Sequence, residues 1–178
     1  MNFSIPLRII LFFIFLGFFT VSFQIGASTV LDEEESLAIF NEFNQTISDI
    51  DSMGIFLNNL TVALPTFIPG LGPAWGLYSG WSTGVSSSAI ISHSPDLTDF
   101  QALDIFYASP FGFLELVAYS IGMSRGAFLI FAFIQKSPKK PLIIWSLIEI
   151  SIAIILLIIG GVMESSMLEH EPLTIDDL

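Results

Sequence analysis

Glu115, Arg125 and Glu149 are ionisable side chains set inside long apolar runs, and that placement is the first chemistry the chain offers. A charged side chain near the middle of a bilayer costs roughly 2.5 to 3.5 kcal/mol on insertion scales, so it is kept only where a partner or a water-filled interior receives it. Ser109 to Ile134 carries Glu115 and Arg125 in a stretch long enough to cross a bilayer, and it is expected to face protein and not lipid. If this stretch and the next apolar run form an antiparallel hairpin, reflection about residues 137 and 138 carries Arg125 onto residue 150, beside Glu149. Arg125 lies nine residues from the end of its run, near the bilayer midplane at about 1.5 Å per residue. An Arg125–Glu149 pair would lock the hairpin or, alternatively, serve a proton or ion relay.

Glu115 lies about one and a half turns from the other end of the same run. Asn58 and Asn59 lie equally deep in an earlier run, so the three are expected to form a hydrogen-bonded cluster beneath the outer leaflet, with a ligand site as the alternative. Gly76, Gly80, Gly84 and Ser88 place a small residue at every fourth position. That row makes a flat helix face onto which a neighbouring backbone can close; a pore lined by bare backbone is the other use of such a face. His93 with Asp96 and Asp99, and Glu169-His170-Glu171, have metal-ligand atom types but no ligand spacing, and read as solvated side chains. Asn44-Gln-Thr46 fits a glycosylation sequon. There is no Ser/His/Asp arrangement and no phosphate-cradling loop, so the expectation is no catalytic residue, no cofactor and no metal.

The elements that must position these groups are helical and membranous. Of 178 residues, 53% are hydrophobic and 12% charged, which is outside the range of a soluble domain. A net charge of −12 opposes nucleic-acid phosphate. With no cysteine there is no disulfide, thiolate or iron–sulfur ligation. We expect an all-α polytopic bundle over residues 1–178, a single membrane domain with five spans at about 5–27, 53–68, 73–91, 110–134 and 141–162. The first run also fits a secretory signal; a retained span is the reading favoured. Residues 28–52 are acidic, yet Leu37, Phe40, Phe43, Ile47 and Ile50 recur at helical spacing, giving an amphipathic helix that either lies on the membrane or packs on the bundle. Asp32 and Glu35 resemble a capping box at its start. Pro65 and the Pro69-Gly70-Leu71-Gly72-Pro73 cluster force a reversal between spans two and three. Residues 163–178 form an acidic tail.

Arg8 and the Gln135-to-Lys140 turn put the N-terminus on the cytoplasmic side, and the C-terminus outside. All acids other than Glu115 and Glu149 then lie on the outer face, whose negative potential would attract cations and basic partners.

Three segments resemble the SpoIIM-like family of integral membrane proteins, related to stage II sporulation protein M. They are Phe56-Leu57-Asn58-Asn59, Leu77-Tyr78-Ser79-Gly80 with Gly84, and Pro110-Phe111-Gly112-Phe113-Leu114-Glu115. The chain departs from the family pattern at Ser79, where Asn is usual, and at Phe111, where His is usual. The resemblance implies a packing role for Asn59, Gly80, Gly84, Gly112 and Glu115, and a polytopic component of a membrane assembly that is not an enzyme. By analogy, a small archaeal-like chain of this type would serve as an accessory subunit of a larger membrane enzyme, with archaeal ammonia monooxygenase as a candidate host. The leading expectation is therefore a non-catalytic accessory or scaffold subunit whose partners are other integral membrane subunits and lipid. The rival is a small permease or channel using Glu115, Arg125 and Glu149. A third reading has the outer acids collect metal or a cationic substrate for a neighbour.

Overall fold

The computed structural model describes residues 5–47, 50–97 and 99–170, which are all-helical. The helices are α1 (Ile5–Ala27), α2 (Glu33–Ile47), α3 (Ser52–Thr66), α4 (Leu71–Ser92), α5 (Ala102–Ala108), α6 (Pro110–Ile134) and α7 (Lys139–His170), with a short 3-10 turn at Pro95–Leu97. Local chemistry sets several of their starts. Asp32 Oδ1 accepts the Glu35 N–H at 2.8 Å ahead of α2, and Asp51 Oδ1 accepts the Gly54 N–H at 2.8 Å ahead of α3. Ser109 caps α6 through the Gly112 N–H, and Pro110 occupies its first position, where the missing N–H is no loss. Gly70 ends the α3–α4 reversal with φ of +85°, a conformation that glycine alone adopts without strain.

Among the described residues three helices, not five, are long and apolar enough to cross a membrane: Pro6–Ala27, Pro110–Ile134 and Lys140–Met167. The expected second and third spans fail for different reasons. Helix α3 has 15 residues and reaches only about 22 Å, short of the roughly 30 Å hydrocarbon core. Helix α4, at 22 residues, is long enough, but four glycines and six serines lower its apolarity although it holds no charge. The expected tail is also corrected. Helix α7 continues past residue 162 to His170, so Met163 and Glu164 belong to it. Between α4 and α6 the chain forms the short helix α5.

Helix α6 is the centre. It touches α1, α3, α4, α5 and α7, and fourteen of its side chains are buried. Small residues let its neighbours close in. A Cβ on Gly122 or Gly126 would overlap Thr66 or its backbone, so the fully buried Thr66 at the end of α3 sits in a notch that α6 leaves open. The expected small-residue row of α4 does similar work. A Cβ on Gly84 would meet the Phe23 and Ala27 backbone of α1, one on Gly80 would lie 3.2 Å from the Phe19 carbonyl, and one on Gly76 would strike Met123 of α6. From the opposite side, Gly26 of α1 receives the Trp81 backbone. Ser88 is half-buried at the end of the row. The α1–α4 contact is thus backbone against backbone, the close approach that small residues permit.

Helix α2 packs on the end of α4. Ser36 is buried and bonds Ser92, while Leu37 and Phe43 are exposed.

Candidate functional site

The ionic site is built from three helices. Helix α6 presents Arg125, which is 3% exposed, and α7 presents Glu149 one helix away. Arg125 grips the carboxylate as a fork: Nε donates to Oε2 at 2.7 Å and Nη2 donates to Oε1. Charge-assisted, bidentate bonds of this type are roughly twice as strong as neutral ones. A second cation joins from α1. Arg8 Nη2 donates to Glu149 Oε2 at 2.7 Å and to Ser124 Oγ at 3.3 Å, and Nη1 donates to the Ser124 carbonyl at 2.8 Å. Ser124 Oγ in turn donates to the Ile121 carbonyl at 2.9 Å. Both guanidinium groups lie against the Phe128 ring, at 5.2 and 5.3 Å from its centroid.

One carboxylate therefore faces two guanidinium groups, and the site carries a formal charge of +1. Arg8 Nε is buried and has no hydrogen-bond partner among the described residues. The three groups border a cavity of about 830 Å³ whose other walls include Phe12, Phe13 and Trp145. A carboxylate held by two guanidinium groups from different helices can tie those helices together, and its excess positive charge can attract an anion.

The hairpin reflection places Arg125 beside Glu149, and the structure brings those two together. It also brings in Arg8, which the sequence offers only as an orienting cation. Counting depth from the helix ends hides Arg8. It stands three residues into α1, whereas Ser124 lies ten residues from the end of α6 and Glu149 ten from the start of α7. The α6–α7 hairpin therefore reaches about 10 Å past the start of α1, and equal counts do not mean equal depths.

A second polar layer lies ten residues along α6. Asn59, buried, donates from Nδ2 to Glu115 Oε1 at 2.5 Å. Asn58 is corrected out of this cluster: it is exposed, and its carbonyl accepts from the Thr61 hydroxyl. One residue along a helix turns the side chain by about 100°, so adjacent asparagines cannot both face α6. Glu164 of α7 adds a second carboxyl group near Glu115 and Tyr119, a group of like charge that does not replace the hydrogen bond expected from Asn58. The sequence reading misses it because it ends the last span at residue 162; the signal was a helical pattern continuing through Met163 and Met167.

His93 Nε2 lies 3.1 Å from Ser36 Oγ and its ring packs 5.3 Å from that of Phe40, so it ties α4 to α2. The side chains of Asp96, Glu169 and His170 lie outside the described residues. Among the described residues no three His, Asp or Glu side chains gather as metal ligands. Asn44 is exposed on α2. Compared with known families, curated proteins and solved structures, the chain matches none.

Proposed function

We propose that this chain is a non-catalytic integral membrane subunit that acts by packing, as an accessory or scaffold component of a larger membrane protein complex. One observation carries the reading: a closely packed, mostly apolar layer, which also holds the buried Tyr119 and Ser120, separates the two polar layers. Over the nine residues of α6 between Glu115 and Arg125, a rise of about 15 Å, the space is filled by buried Leu116, Ala118 and Met123 of α6, Phe19 of α1, and Ala153 and Leu157 of α7. A solute path joining Glu115 to Arg125 and Glu149 would have to pass through that packing, which disfavours the permease reading. Each polar layer is instead a helix fastener.

The same reading takes α3 and α4 as a hairpin that enters and leaves on the outer side. Crossing parity is then identical whether its turn reaches the inner face, giving five spans, or stops short, giving three. In both cases the N-terminus and the Gln135-to-Lys140 turn are cytoplasmic and the C-terminus is extracytoplasmic, as the distribution of cations favours. The SpoIIM-like resemblance of Asn59, Gly80, Gly84 and Glu115 fits a packing role, and an archaeal ammonia monooxygenase is the candidate host it suggests by analogy. The test is extraction of the chain from its native membrane in mild detergent. The reading expects other integral membrane polypeptides to co-purify in fixed ratio; a lone monomer would overturn it.

A further inference from the structure

The cavity beside the ion triad combines features that neither helix fastening nor partner binding uses. Its polar side is positively charged, since Arg8 and Arg125 share the single carboxylate of Glu149. Its other side is apolar and open outward: Ile9, Phe13 and Trp145 line it and are 52%, 62% and 56% exposed. On a membrane-crossing helix such side chains face lipid. Its lining extends along α7 from Glu149 back to Pro141 and to Ser137 and Pro138 of the α6–α7 turn, where Lys136 and Lys140 are exposed. The cavity's 830 Å³ falls within the roughly 300–1,000 Å³ of small-molecule sites.

We propose that this cavity binds one anionic glycerophospholipid, its phosphate beside Arg8 and Arg125, Trp145 on the headgroup side, and its acyl chains along Ile9 and Phe13. Charge complementarity selects the occupant: a lipid of net charge −1 neutralises the triad, whereas a zwitterionic lipid leaves it at +1. The apolar walls select a lipid over a free anion, because a hydrated phosphate gains nothing from them. The exposed lysines of the turn draw anionic headgroups to that leaflet. Arg125 is not at the midplane expected from counting along α6: Arg8, which shares Glu149 with it, stands only three residues into α1, so the triad lies near the end of that span, within reach of a headgroup phosphate.

The test uses the full chain in neutral detergent, offered phosphatidylglycerol, phosphatidylcholine or inorganic phosphate, with retained molecules counted by native mass spectrometry. The proposal expects one phosphatidylglycerol per chain, retained in preference to phosphatidylcholine and not displaced by equimolar inorganic phosphate. Arg8→Gln, which removes the excess charge, is expected to lower that preference by roughly tenfold or more. Ile9→Trp, which fills the apolar side without touching an ionic contact, is expected to do the same, and it decides the matter if Arg8→Gln fails to fold. Lys136→Gln with Lys140→Gln should leave the preference in place. Equal retention of the two lipids, displacement by phosphate, or a preference that survives in either folded cavity variant would overturn the proposal.

Discussion

Glu149 holds two guanidinium groups within one carboxylate's reach, so the three side chains of the triad are unequal in what their loss does. Removing Arg8 leaves the Arg125–Glu149 fork intact, whereas removing the carboxylate leaves two cations side by side in a low-dielectric interior. Glu149→Gln is therefore expected to destabilise the protein by about 3–5 kcal/mol, and Arg8→Gln by clearly less, as read from thermal unfolding in detergent. Equal effects would mean that the triad is not the fastener described. The adjacent asparagines give a second comparison. Asn59→Leu leaves the Glu115 carboxyl without its hydrogen bond and should cost about 1–3 kcal/mol, while Asn58→Leu, on the exposed side, should be close to neutral in the same assay. At this scale the sequence was legible where a single turn fixes the geometry. Arg125 and Glu149 are related by one hairpin, and counting about Ser137 and Pro138 suffices. Arg8 and Glu164 were not legible, because their depths depend on where α1 starts and where α7 ends, and apolar runs do not mark either point.

At the scale of the helices, glycine decides how closely α1, α4 and α6 approach. Gly84 packs against the Phe23 and Ala27 backbone, which cannot move aside as a flexible side chain could. Gly84→Val is expected to cost about 1–3 kcal/mol or more through overpacking. Gly17, with no atom within 4 Å of the added Cβ, is the control: Gly17→Ala should be neutral or stabilising by up to about 1 kcal/mol through helix propensity. The four-residue spacing of Gly76, Gly80 and Gly84 made this contact readable before any partner was known. What spacing could not reveal is that two neighbours share the row, α1 at Gly80 and Gly84 and α6 at Gly76. The α3–α4 hairpin is where apolar runs mislead, since α3 is too short and α4 too rich in serine to span on their own terms. A single cysteine in this cysteine-free chain locates its turn. Leu71→Cys, at an exposed position beside the turn, is expected to label with a membrane-impermeant maleimide only from the side that labels Ser137→Cys if the hairpin crosses fully. No labelling from either side would place the turn within the bilayer.

For the molecule as a whole, all-helical architecture and a membrane setting follow from composition, because 53% hydrophobic residues in runs of this length leave few other ways to satisfy the backbone. Function is less legible for a physical reason: among the described residues most buried polar groups, Arg8 Nε excepted, bond one another, and groups that bind one another do not advertise a substrate. The account separates scaffold from conduit on the layer of Phe19, Leu116, Met123, Ala153 and Leu157 that divides Glu115 from Arg125. The most direct measurement is therefore proton flux into liposomes that contain the purified chain, followed with an entrapped pH-sensitive dye under an imposed potential. The account predicts flux no greater than that of empty liposomes, in the unaltered chain and in Glu115→Gln alike. Flux above that baseline which disappears in Glu115→Gln would contradict it.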